Sequence, residues 1–169
     1  MLGIRGLDPF GAFHAGLGLM ALILGICALI LQKGTTLHRR IGVAYWVTMA
    51  GLNTTALAIY DLFGRWGPFH SLAVVSLLTV AAGLGPVWLR RPRGRWIGLH
   101  ATCMGWSFAG VVAAFFSEIG ARMPGVGLAA GVIWPTAAVM VAAAVLIHTR
   151  VPRIVARLGV PAAKIEALS

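Results

Sequence analysis

The sequence is poor in charge, and the little it has is almost all of one sign. Charged residues make up 11% of the 169, with 14 Lys or Arg against 4 Asp or Glu. A soluble domain carries roughly 25% charged residues, so too little polar surface is present to cover a water-soluble globule. Two cysteines are too few for a disulfide scaffold. A chain that is 59% hydrophobic, with a mean hydropathy of +0.89, is far too apolar to be disordered. Also absent are a Gly-rich phosphate loop, a Cys-x-x-Cys pair, a His-Glu-x-x-His pattern and a Gly-x-Ser-x-Gly elbow. Nucleotide binding, thiol exchange, zinc-protease and serine-hydrolase chemistry therefore lack their usual support. The net charge of +10 raises the question of nucleic acid. The basic residues stand at the ends of apolar runs, however, which is the pattern of membrane topology. The partner this composition implies is a lipid bilayer, and no nucleic acid.

What is present is a series of long apolar runs. A helix crosses the hydrocarbon core with about 20 residues, because each rises about 1.5 Å. Five segments qualify, at about 10–31, 41–63, 69–89, 96–116 and 126–147. Between them stand Lys33-Gly34-Thr35-Thr36, Gly67-Pro68, Arg91-Pro92-Arg93-Gly94 and Pro124-Gly125, all helix-ending chemistry. The expected fold is all-α: a polytopic membrane protein of five transmembrane helices, helices 1–4 forming an up-down four-helix bundle with a fifth beside it. Residues 1–150 form the transmembrane domain, and 151–169 a basic tail lying along the inner leaflet. A cleaved signal peptide fits the first run poorly, since no small-residue cleavage site follows before Lys33. Arg5, Arg65 and Arg122 fall on one side of the membrane and the other 11 basic residues on the opposite side. That asymmetry predicts a bacterial cytoplasmic (inner) membrane protein with its N-terminus outside and its C-terminus cytoplasmic.

Histidines carry the functional signal. Phe13-His14 opens the first helix and Phe69-His70 the third, while Leu37-His38 precedes the second and Leu99-His100 lies in the fourth. In an up-down bundle this pattern puts His14 and His70 at one membrane face, and His38 and His100 at the other. Imidazole ligates haem iron, and facing helices of a bundle commonly hold cofactors. Gly18 and Gly42 follow His14 and His38 by four residues, where a side chain would crowd a macrocycle. Arg39 and Arg40 are placed to pair with propionates. The plainer reading of each histidine is an interfacial side chain with its polar tip in water, and it is the one favoured for His148. A second constellation, His14, His70, Asp61 and Glu118, has the ligand types of a zinc or iron site. Glu118 is also spaced to pair with Arg122, four residues on. Asn53, Thr54 and Thr55 read as hydrogen bonders between helices.

The stretch Lys33-Gly34-Thr35-Thr36-Leu37-His38-Arg39-Arg40-Ile41-Gly42-Val43-Ala44-Tyr45, preceded by Phe13-His14, resembles a bacterial family of multi-pass membrane proteins known as domain of unknown function 2306. Ile59-Tyr60-Asp61-Leu62-Phe63-Gly64, Phe69-His70, His100 with Met104-Gly105-Trp106-Ser107, and Ser117-Glu118 with Arg122 are similar to it as well. The likeness runs from about Phe13 to Arg122 and implies membrane spans but no activity. In arrangement alone, the four histidines resemble those of di-haem transmembrane cytochromes b. That resemblance implies His14 and His70 for an outer haem, and His38 and His100 for an inner one.

The leading expectation is therefore a b-type haem protein, a membrane oxidoreductase moving electrons across or within the membrane, with a quinone or another small redox substrate as partner. The alternatives are a zinc- or iron-dependent membrane enzyme using the His/Asp/Glu set, and a non-enzymatic subunit of a larger membrane complex or homodimer.

Overall fold

Four interruptions of the apolar pattern punctuate the chain into helices. In the computed structural model, which describes residues 9–60, 64–92 and 94–158, five helices follow one another. They are α1 (Pro9–Ile30), α2 (Thr36–Ala58), α3 (Pro68–Leu89), α4 (Trp96–Arg122) and α5 (Leu128–Leu158). No strand occurs among the described residues, and the fold is all-α, as expected.

Three helices are longer or shifted relative to the apolar runs, each for a local reason. Thr35 caps α2 by accepting the His38 amide at 3.2 Å, so α2 starts at Thr36 rather than near 41 and takes in His38, Arg39 and Arg40. Just upstream, Lys33 Nζ donates to the carbonyls of Ala28, Leu29 and Leu31 at 2.8, 2.6 and 3.2 Å and closes the end of α1. Burial against that helix end pushes the Lys33 ammonium below the ordinary lysine value. The fourth helix runs on to Arg122 because Ser117 and Gly120 continue its buried face. The fifth passes through Pro135 and Pro152 to Leu158, so the first part of the expected tail is helix. Val155 carries the interface on, standing 3.5 Å from where a side chain on Gly98 would begin. Residues 159–169 lie outside the described residues.

The burial pattern is the inverse of a soluble core. Apart from Tyr45 and Met49 the buried apolar residues are small, Ala21, Ala73, Val80, Ala109, Val111 and Ala113, while Leu78, Leu89 and Trp134 are 64%, 71% and 72% exposed. Water would not tolerate so much contiguous exposed apolar surface. Lipid does, and small interior residues let membrane helices approach. By length and composition α1, α3, α4 and α5 can each cross a membrane. With 23 residues, α2 is as long as α1 and α3, but His38, Arg39, Arg40, Thr48, Asn53, Thr54 and Thr55 dilute it. Its expected span therefore rests on length rather than on composition.

The chain divides into two units, Met1–Leu78 and Thr79–Ser169, with the boundary inside α3. In the first, α1 and α2 are antiparallel, because His14 meets Thr55 while Leu17 lies at Gly51 and Gly18 at Leu52. In the second, α4 and α5 are antiparallel, with Ser117 at Thr136, Gly120 at Gly131 and Gly105 at Ile147. Within that unit the last turns of α3 meet α4, where Gly83 lies against Cys103 and Met104.

Candidate histidine sites

His14, His70 and His100 are each held by a different local device, and the device decides which ring nitrogen carries the proton. His100 lies in the second turn of α4, half-buried, with Nδ1 2.8 Å from the carbonyl oxygen of Gly83. A carbonyl can only accept, so Nδ1 bears the hydrogen and the neutral ring presents a lone pair at Nε2. Pro86, three residues beyond Gly83, lacks an amide and interrupts the α3 ladder in this stretch.

His14 lies on the face of α1 turned to α2, where its Nδ1 is 2.8 Å from Thr55 Oγ1. The Thr55 hydroxyl also lies 3.0 Å from the Gly51 carbonyl and 2.9 Å from that of Leu52. It has one proton, which a mid-helix threonine gives to its own helix. His14 then donates from Nδ1, as His100 does.

His70 is the opposite case. Gly67 is the N-cap of α3: its carbonyl accepts the His70 amide at 3.1 Å, and Pro68 occupies the first helical position. His70, at the third position, reaches back so that the Gly67 amide donates to its Nδ1 at 3.1 Å. This is one half of a capping box, with imidazole in place of the usual Glu or Gln, since Gly67 has no side chain to make the other half. Because Nδ1 accepts, the neutral ring carries its proton on Nε2. His70 is 3% exposed, and Nε2 has no hydrogen-bond partner among the described residues. The rings of Tyr60 and Trp66 flank it, with centroids 4.4 and 5.1 Å away and tilts of 40° and 31°. The Trp66 indole donates to Ser71 Oγ at 3.1 Å.

The remaining candidates are placed as follows. His38 is half-buried in the first turn of α2. Arg39 donates to the Gly34 carbonyl at 3.1 Å, and Arg40 is exposed. A side chain on Gly18 would meet Leu52 at 3.8 Å, so Gly18 belongs to the α1–α2 contact; Gly42 has open space beside it. Glu118 forms an exposed ion pair with Arg122. Asp61 lies outside the described residues, among which no three His, Cys, Asp or Glu side chains converge. Asn53 and Thr54 do not reach a neighbouring helix as expected; they donate to the carbonyls of Met49 and Ala50, one turn back on α2. His148 is exposed on α5 and borders an apolar groove of about 380 Å³ with Thr102, Trp106, Ile147 and Pro152. Of the residues that define the histidine sites, Thr55 is an expected hydrogen bonder between helices and is one here, whereas Gly67, Tyr60, Trp66 and Gly83 are not singled out by their spacing. Only Gly67-Pro68, with a polar side chain at the third position, offers a readable cap signal.

Apolar helices with small residues inside and large ones outside define a polytopic helical membrane protein. Residues 11–156 match the family model described as predicted membrane protein (DUF2306), and the chain belongs to that family. No curated protein and no solved structure matches it.

Proposed function

We propose that the protein is a b-type haem protein of the cytoplasmic membrane that transfers electrons across or within the bilayer. The observation carrying this reading is the hydrogen bond from His100 Nδ1 to the Gly83 carbonyl, which leaves the Nε2 lone pair as the coordinating position. Metal-ligating histidines almost always give their other ring N–H to such an acceptor, which fixes the tautomer and raises the ligand's basicity. His14 has a comparable contact at Nδ1, to the Thr55 hydroxyl. His70 does not fit, because a ring protonated at Nε2 has no lone pair there. Iron ligation is therefore assigned first to His100. Haem, when bound, supplies one-electron chemistry at a potential set by ligation and burial. The chain's part is to hold the imidazoles in one tautomer and to surround them with apolar helices. On this reading the asymmetry of Lys and Arg puts the N-terminus outside, and a quinone or similar small compound exchanges the electrons. The zinc or iron alternative gains no specific observation, since Glu118 is occupied by Arg122.

The test is the absorption spectrum of detergent-purified protein. A reduced-minus-oxidised haem b signal is expected, lost in His100→Ala while helicity by circular dichroism persists. Protein that binds no haem in a pyridine haemochrome assay after reconstitution removes the reading.

A further inference from the structure

We propose that His70 is the hydrogen-bond donor of a binding site for the carbonyl oxygen of a quinone-class ring, flanked by Tyr60 and Trp66. The inference takes the quinone from the functional reading above, but it requires no haem.

Three observations converge on the site. The cap fixes the chemistry of the imidazole: with the Gly67 amide on Nδ1, the other ring nitrogen is an N–H donor rather than a lone pair. That donor is buried and has no partner among the described residues. A buried polar group without a partner is costly, and native structures keep few of them. Finally, the two rings against His70 belong to surface side chains, Tyr60 being 42% and Trp66 56% exposed. A single hydrogen bond to exposed Ser71 restrains the Trp66 indole. Both rings can move aside at little cost and then stack on an incoming ring. A ligand answering this description is planar and apolar, so that it partitions from the bilayer and stacks on aromatics. It also carries an oxygen that only accepts. Quinones meet both conditions. The ester carbonyl of a phospholipid offers the same acceptor without the ring.

The experiment uses the full chain in phosphatidylcholine nanodiscs, titrated with a one-isoprene ubiquinone. Binding is followed by the tryptophan quenching that is lost in Trp66→Phe, and by NMR of 15N-labelled histidine, which reports the protonated ring nitrogen. In the free protein we expect a histidine signal with Nε2–H and an accepting Nδ1 that is absent in His70→Phe and moves on quinone addition. His70→Phe weakens binding about ten-fold, the scale of one buried hydrogen bond. An isoprenyl benzene lacking both oxygens loses the same factor on wild type and nothing further on the variant. Should His70→Phe fail to fold, Trp66→Ala at an exposed position serves instead: followed by the His70 NMR signal, binding weakens about five-fold while the free ring stays protonated at Nε2. Equal affinity of quinone and isoprenyl benzene overturns the proposal. So does a His70 signal that moves on transfer from an ester-free detergent into phosphatidylcholine yet ignores quinone, which makes a lipid carbonyl the occupant. Loss of a haem spectrum in folded His70→Phe makes His70 an iron ligand and also overturns it. Colourless wild type that binds the quinone through His70 leaves this site standing and removes the haem reading alone.

Discussion

The α1–α2 and α4–α5 pairs are both antiparallel, yet they meet through different chemistry. Between α1 and α2 the backbones stay a side chain apart: Leu17 fills the space at Gly51, Leu52 that at Gly18, and the polar contact is a histidine on a threonine. Between α4 and α5 the backbones touch. A side chain on Gly120 would run into the Gly131 carbonyl oxygen, and one on Gly131 into that of Gly120. Glycine thus plays two parts in these pairs: Gly18 and Gly51 meet side chains, whereas Gly120 and Gly131 meet main chain. The polar groups follow suit. His14 in the looser pair is held by a hydroxyl that also serves its own helix, while Ser117 in the tight pair reaches the Val132 carbonyl at 3.3 Å and Thr136 Oγ1 at 3.0 Å.

The largest effect is expected where the backbones touch. Gly120→Ala has no flexible side chain to displace, so α4 and α5 must separate at this point and lose their neighbouring contacts. A loss of about 3 kcal/mol is expected, at the upper end of overpacking costs. It is measured as a shifted unfolding midpoint when the detergent-solubilised protein is titrated with dodecyl sulfate. Gly131→Ala should behave alike, and the double variant should cost less than the sum because both act on one contact. An unshifted midpoint would mean that the helices do not touch there.

A smaller loss is expected at the polar contact of the looser pair. Thr55→Val keeps the shape and removes the hydroxyl that holds His14 Nδ1. The cost is about 0.5–1 kcal/mol, in line with single hydrogen bonds between membrane helices. In 15N-histidine spectra the same variant should leave His14 a mixture of tautomers, while His100, held by a carbonyl, stays in one. Invariant His14 signals would assign its tautomer to another partner.

The difference between the two pairs marks what was legible in the sequence. Five helices followed from apolar runs and their Gly and Pro breaks, because length and hydropathy are properties of the chain alone. The ends were less legible. The start of α2 depends on a Thr35 cap that overrides the charge of Arg39 and Arg40, and the end of α5 on an interface that carries it past Pro152. The histidines were visible as residues, but their chemistry was not. His14 and His70 share a Phe-His dipeptide and present opposite ring nitrogens, because one meets a hydroxyl 41 residues away and the other the amide of its own cap. Spacing reports neither a partner's donor sense nor which glycines touch backbone.

Gly51 gives the sharpest contrast, because the substitution that breaks the α4–α5 pair should be harmless or better here. The nearest atom to a new side chain is Leu17 Cδ1 at 3.4 Å, ordinary contact with the movable end of a leucine. Gly51 lies inside α2, where glycine is less favourable than alanine by roughly 0.5–1 kcal/mol. Gly51→Ala should therefore raise the dodecyl sulfate midpoint by about 0.5 kcal/mol, the added methyl settling against Leu17 without parting the helices. The opposite signs of Gly51→Ala and Gly120→Ala test the comparison more strictly than either value alone. If Gly51→Ala costs as much as Gly120→Ala, α1 and α2 are in main-chain contact too, and the two pairs are built alike.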